Sequence, residues 1–451
     1  MRRRTFLQGL GVGAAGVALG GWSSRAAWGE LPPGVWSGVT PARKVLEVFL
    51  WGGLAPFESL YYRDVAGSRT RGFDPDVQAL SPLGLSASPA ALGDDARGKP
   101  VHLGPFAAPL WRRPDLWART RVVALGHRLL SHEAAVPYGV TGRGLGSPGA
   151  SGLGAPLARR ARRDLAPGAH PLPFAYVLGN RRALGDPMFA GLQAAGAHGG
   201  DARPLALTMD GPLPGPAASD RDAAVAALLA APRPARLLRP DGPRSDDATR
   251  RALQLGAYLL TRTGEEEARY VGIVDAGLDG LGFGYDVHGF EQARRTSAHL
   301  GRVLAALQEV IRDPARPAPD DADKLDLSDT LIVLKTEFGR TPFRSSGMSP
   351  DPTSGGRDHW PYAYAGALLG GPVGRGVSGA LADGADPGVT ADVPYSPTDL
   401  QAASLLAAGV DPFAPGNLPL ELFSGPLQAA GVAGRIRSLV ALRRQLLTGV
   451  G

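Results

Sequence analysis

Short unbroken apolar runs, separated by amphipathic or Gly/Pro-rich stretches, set the pattern of the chain. Lys44–Trp51, Arg121–Gly126, Phe174–Leu178 and Thr330–Thr336 are aliphatic or β-branched and end at polar or glycine residues. Each predicts one buried strand, and Ala365–Leu369 predicts a further one. From Phe290 to Arg312, Leu300, Val303, Leu304, Leu307, Val310 and Ile311 recur on one helical face, which Pro314 closes. Further helices are expected within His102–Trp117, after the loop His127–Glu133 as far as Thr141-Gly142-Arg143, near Ala223–Ala230, over Asp246–Tyr270, and over Leu427–Leu447. Pro397-Thr398-Asp399 opens another through Ala408, with Thr398 or Asp399 accepting the free amides of its first turn. Residues 64–100 carry no clear period. Strands alternating with helices predict an α/β fold, a mainly parallel sheet with helices on both faces. No internal repeat and no clean linker divides residues 44–451, so they are read as one large domain.

Residues 1–29 do not fit this pattern. Arg2-Arg3-Arg4-Thr5-Phe6-Leu7 precedes a weakly hydrophobic Gly/Ala run from Gly9 to Trp22, too short to span a membrane, and small residues suited to cleavage near Ala27-Trp28-Gly29. This reads as a twin-arginine signal, and it predicts a periplasmic or secreted protein whose transient partner is the twin-arginine translocase. Residues 30–43 read as a linker. Composition changes the picture in two places. The net charge of +6 loses four arginines and no acid with residues 1–29, leaving +2. No basic stripe with interleaved aromatics remains, which argues against a nucleic-acid partner. The chain has no Cys, which excludes disulfides, thiolate metal sites and a lipoprotein anchor.

Candidate chemistry gathers where the apolar runs stop. The strand Thr330–Thr336 releases Glu337-Phe338-Gly339-Arg340 into a polar loop that ends in Arg357-Asp358-His359. The carboxyl ends of parallel strands are where open α/β sheets place their sites. Glu337 offers a metal ligand, or one half of an ion pair with Arg340; Arg340 offers bidentate hydrogen bonds to an oxyanion. Asp358 and His359 offer an oxygen and a nitrogen ligand, or a solvated turn. Asp286 and His288, two apart before the amphipathic run, either face one ion or cap a helix. Ser131-His132-Glu133 follows the second strand, and His132 is a candidate ligand, base or nucleophile. His102, His127, His170, His198 and His299 lack such company and read as structural or exposed.

Glu-Phe-Gly-Arg-Thr-Pro at 337–342, Gly-Arg-Asp-His-Trp-Pro at 356–361 and Asp-x-His-Gly at 286–289 resemble the exported bacterial family called domain of unknown function 1501. The twin-arginine leader, Gly52-Gly53, Thr141-Gly142-Arg143 and the Pro-Thr-Asp-Leu helix near 397–400 agree in order, so the resemblance covers roughly residues 44–425. That family is similar to the alkaline phosphatase and sulfatase superfamily. The resemblance implies one large three-layer αβα domain, divalent metal, and hydrolysis of phosphate or sulfate esters. It places Asp286 and His288 in a metal element, Glu337 at the acid after a strand, and His359 with Asp358 at the late metal or substrate position. Counting back nine residues from Thr141 puts His132 at the nucleophile position, where no Cys-derived formylglycine can form. The usual first-strand acid is missing as well, since Trp51-Gly52-Gly53-Leu54 follows directly.

The expectation is therefore an exported, metal-binding, hydrolase-like protein acting on a small-molecule or glycan ester. Asp286, His288, Glu337, Asp358 and His359 would hold zinc, manganese or calcium. His132 would be base or nucleophile, with Arg340 and Arg357 stabilising developing charge. The competing class is a catalytically silent periplasmic binding or scaffold protein on the same fold; metal storage or delivery is a third.

Overall fold

The computed structural model describes residues 40–56, 59–62, 88–144, 147, 152–164, 175–178, 205–209, 211–212, 234, 237–238, 246–263, 268–275, 285, 286, 288, 290–340, 358–381, 395–414, 417 and 439–448. The expected leader at 1–29, the expected helix at 223–230 and Arg357 lie outside them. In chain order the main elements are β1 (Lys44–Leu50), β2 (Ala90–Asp94), β3 (Pro100–Leu103), β4 (Thr120–Leu125), α1 (His132–Thr141) and α2 (Gly154–Asp164). Then come β5 (Ala175–Leu178), β6 (Leu205–Thr208), β7 (Gly211–Pro212), α3 (Asp246–Thr261), β8 (Tyr270–Asp275) and α4 (Phe290–Glu309). The series ends with β9 (Thr330–Lys335), β10 (Gly339–Arg340), β11 (His359–Trp360), β12 (Tyr364–Gly370), β13 (Gly376–Ser378) and α5 (Pro397–Ala407).

Among the described residues, nine strands form one sheet in the order β13-β4-β12-β9-β1-β8-β5-β6-β7. β1 pairs in parallel with both β8 and β9; β5 does so with β8 and β6, and β13 with β4. β12 runs antiparallel to β9 and β4, and β7 to β6. All the other strands therefore share one direction, and their carboxyl ends line one edge. β1 shows why the central strands read as continuous apolar runs: both of its faces are covered. Leu46, Val48 and Leu50 pack with α3 and α4 on one side, while Val45, Phe49 and Trp51 pack with α1, α2 and α5 on the other. The expected mainly parallel α/β sheet with helices on both faces is present.

Glu47 interrupts β1 on the α1/α5 side. Lys335 of β9 answers it: Nζ lies 3.1 Å from Glu47 Oε1 and also donates to Val140 O at 3.2 Å and Gln401 Oε1 at 3.3 Å. Burial pushes the Glu47 carboxyl up and the Lys335 ammonium down, each opposed by the other's charge.

Several boundaries differ from expectation. The helix begun at Asp246 ends at Thr261, and Tyr270 opens strand β8 instead of closing that helix. His102 lies in β3, which forms a hairpin with β2 in the stretch that shows no period; two short helices, Ala108–Trp111 and Pro114–Ala118, follow it. α5 is capped by Ser396, not by Thr398 or Asp399. Ser396 Oγ accepts from Asp399 N, and the Asp399 carboxylate accepts from Ser396 N, a reciprocal capping box. Thr141-Gly142-Arg143 closes α1, with Gly142 left-handed at φ 69° and its carbonyl accepting from Thr398 Oγ1 at 2.6 Å. Among the described residues no helix is long and apolar enough to cross a membrane.

Candidate metal centre

Four strand ends deliver the site to one edge of the sheet. β4 leads through His127 and Leu130 to His132, the first residue of α1. β1 stops at Gly52-Gly53, β8 leads on to Tyr285-Asp286, and β9 runs into Glu337. β10 and β11 pair antiparallel and set Arg340 opposite His359. This is the position that parallel strand ends favour.

Asp286 is the centre of the cluster. Its Oδ2 lies 3.2 Å from His132 Nε2, and its Oδ1 lies 3.3 Å from His359 Nε2 and 3.2 Å from His288 Nε2. Arg340 Nη2 donates to the same Oδ1 at 2.5 Å. Burial opposes the charge of Asp286, but the three imidazoles and Arg340 outweigh it and hold the carboxyl well below the usual range.

Two of the three imidazoles are locked from behind. His132 Nδ1 meets Glu337 Oε1 at 2.8 Å, an oxygen that also accepts Gly52 N at 2.7 Å. His359 Nδ1 meets the carbonyl of Leu130 at 2.7 Å. A carbonyl only accepts, so His359 carries its proton on Nδ1 and turns Nε2 toward Asp286. His132 Nε2 is buried and makes no hydrogen bond: its contact with Asp286 is close but poorly aligned. Burial lowers the His132 pKa, yet the close contact with Asp286 and the hydrogen bond and charge of Glu337 prevail and raise it to about 9. Phe338 stacks on His359 with centroids 4.4 Å apart, and Trp51 lies 5.6 Å from His132, so the back wall is apolar.

The donor set fits a divalent ion. His132, Asp286 and His359 each offer a ligand atom, and the three lie within 4.8 Å of one another. With metal–ligand bonds near 2.0 Å, a tetrahedron has edges of about 3.3 Å. The separation of 3.2 Å from His132 Nε2 to Asp286 Oδ2 and that of 3.3 Å from His359 Nε2 to Oδ1 are each close to that edge, and they end on different oxygens of the carboxylate. The buried, unbonded His132 Nε2 is the atom such an ion would satisfy.

The remaining expected residues fall around this core. His288 is partly exposed, with Nδ1 3.8 Å from Asp358 Oδ1. Glu337 is fully buried behind His132, where it also accepts from Thr336 Oγ1 at 3.1 Å. Arg340 is buried and gives its donors to the carbonyls of Gly52 and Gly53 as well as to Asp286. Four contributors were not among the expected site residues, although His127 was read as structural or exposed. His127 bonds the Glu337 carbonyl through Nε2 at 2.6 Å, and the Leu130 carbonyl holds His359. Asp275 closes the unread strand β8. Gly52, noted only as the end of a strand, has φ of 115°, and a Cβ there would stand 2.1 Å from Asp286 N. No side chain fits at that position, and the end of β1 meets Asp286 through close backbone contact.

Two structures of the C-terminal periplasmic domain of EcEptC from Escherichia coli, one of them a complex with Zn, are similar at TM-scores of 0.35 and 0.32. Each is 11% identical and covers 84% of this chain and 87% of its own. No curated protein matches. Residues 241–415 match the model of the family described as Protein of unknown function (DUF1501), a stretch that contains Asp286, His288, Glu337, Arg340, Asp358 and His359 and excludes Gly52 and His132.

Proposed function

We propose that this chain is an exported metal-binding protein with a hydrolase-like site on an alkaline phosphatase-like fold, acting on phosphate or sulfate esters. The observation that carries the metal reading is the pair of imidazoles, His132 and His359, whose Nδ1 atoms are engaged behind them while both Nε2 atoms face Asp286. Ligating histidines are commonly fixed in this way by a carboxylate or carbonyl on the far nitrogen. Two nitrogens and one oxygen favour zinc or manganese over calcium, which takes oxygen ligands. A bound ion would supply Lewis acidity toward an ester oxygen.

The residue roles follow from which atoms remain available. His132 is assigned as a ligand instead of a nucleophile, since Glu337 occupies one nitrogen and the ion would occupy the other. Glu337 orients His132 from behind and is not itself a ligand. Arg340 holds Asp286 in place instead of meeting an oxyanion. His288 turns Nε2 to Asp286 and Nδ1 toward Asp358, and with 37% of its side chain exposed it forms the outer rim of the cluster.

A second reading, a catalytically silent binding or scaffold protein, draws on Arg340. Its buried charge already neutralises Asp286 without an ion. Elemental mass spectrometry of the exported protein, with His359→Ala and Asp286→Asn beside it, decides the metal question. About one divalent ion per chain is expected in the wild type, with loss in both variants. A wild type that holds no ion even after incubation with zinc or manganese would falsify the metal centre. Background turnover alone on a panel of phosphate and sulfate monoesters, by metal-loaded protein, would select the scaffold.

A further inference from the structure

We infer that Tyr285 is a positioning residue for Asp286, anchored through its hydroxyl to the buried carboxylate of Asp275. The inference rests on the metal reading of the site. Asp275 closes β8 and is fully buried beneath the site edge. Tyr285 donates its hydroxyl proton to Asp275 Oδ2 at 2.7 Å, and its backbone N–H donates to the carbonyl of Trp51 at 2.7 Å. One residue is thus gripped at both ends, and the next residue in the chain is Asp286. The carboxylate of Asp275 is steadied in turn by Thr249 Oγ1 of α3 at 2.9 Å and by His299 Nε2 of α4 at 3.1 Å. A core charge tied to the two helices of one layer therefore fixes where the central site carboxylate stands. Gly52 completes the arrangement by letting the Asp286 backbone approach the end of β1.

Thr249 and Tyr285 bond the same carboxylate, but only Tyr285 is chained to Asp286. This asymmetry separates a positioning role from a structural one. Zinc is titrated calorimetrically into the full chain as wild type, Tyr285→Phe and Thr249→Val, and the melting temperature of each is recorded. Both variants lose one hydrogen bond and melt somewhat lower. Zinc affinity should fall about tenfold or more in Tyr285→Phe, the size of effect seen when support of a ligand is removed. It should be unchanged in Thr249→Val. With cobalt as probe, the visible absorption of Tyr285→Phe should shift and that of Thr249→Val should not. If the wild type binds zinc and the two variants bind it equally well, the positioning role is overturned while the metal centre stands. A wild type that takes up no zinc removes the metal centre, and the inference with it.

Discussion

Arg340 is among the largest fully buried side chains, and its charge is met by Asp286 together with the carbonyls of Gly52 and Gly53. Removing Arg340 takes from Asp286 its one full counter-charge and leaves only the imidazoles beside it, a loss that for a buried pair is about 3–5 kcal/mol. Arg340→Met should therefore lower unfolding free energy in urea by roughly that amount. Arg340→Lys should recover little, because an ammonium cannot reproduce the planar fork. Unchanged stability in Arg340→Met would show that the pair is dispensable. At this scale the sequence disclosed residue types better than residue partners. Arg340 was legible because it follows an apolar run, while Asp286 with His288 and Asp358 with His359 stood out as closely spaced acid–imidazole pairs. Glu337 was legible as an acid at the site but not as the support of His132, a contact 205 positions away in the chain. Such a pairing depends on which face of β9 receives α1, and no local spacing encodes it.

The same face of β9 explains how α1 is held. Strand periodicity puts Lys335 and Glu337 on one side, and there Lys335 reaches Val140 near the end of α1 while Glu337 reaches His132 at its start. The Lys335–Glu47 pair that supports one end of this clamp is buried in the sheet. Lys335→Met or Glu47→Leu alone should cost about 3–5 kcal/mol, and the double variant should recover most of the loss. Denaturant unfolding of the three proteins checks this; additive losses would mean that the two residues do not act as a pair. β8 was the element least legible in sequence. Its six residues, Tyr270–Asp275, are all buried and carry no polar alternation. A short apolar run of that kind cannot be told from the end of a buried helix by period alone. α4 was legible over nearly its whole length, because only one of its faces is apolar. The cap of α5 was expected two or three residues too late, although Ser396 and Asp399 carry the spacing of a capping box.

Across the molecule, Asp275 ties α3, α4 and the segment before Asp286 beneath the sheet. Burial opposes its ionisation, but His299, Tyr285 and Thr249 prevail and lower its pKa. A carboxyl lowered in the folded state stabilises the fold above its unfolded pKa of about 3.9 and loses that contribution as pH falls through the folded value. Asp275→Asn should therefore be less stable than wild type near pH 6, with a gap that narrows on acidification below about pH 4. Urea unfolding across that range tests it, and a gap that is constant with pH would exclude the ionised form as the stabilising species. The order of the sheet has a last consequence, for how the chain is made. β1 lies between β8 and β9, so Lys44 waits for Thr330, and Val45 for Tyr270. At about 5–20 residues per second, the first strand out of the ribosome stays without its neighbours for on the order of tens of seconds. Almost entirely apolar, β1 is the segment of the newborn chain most in want of a chaperone.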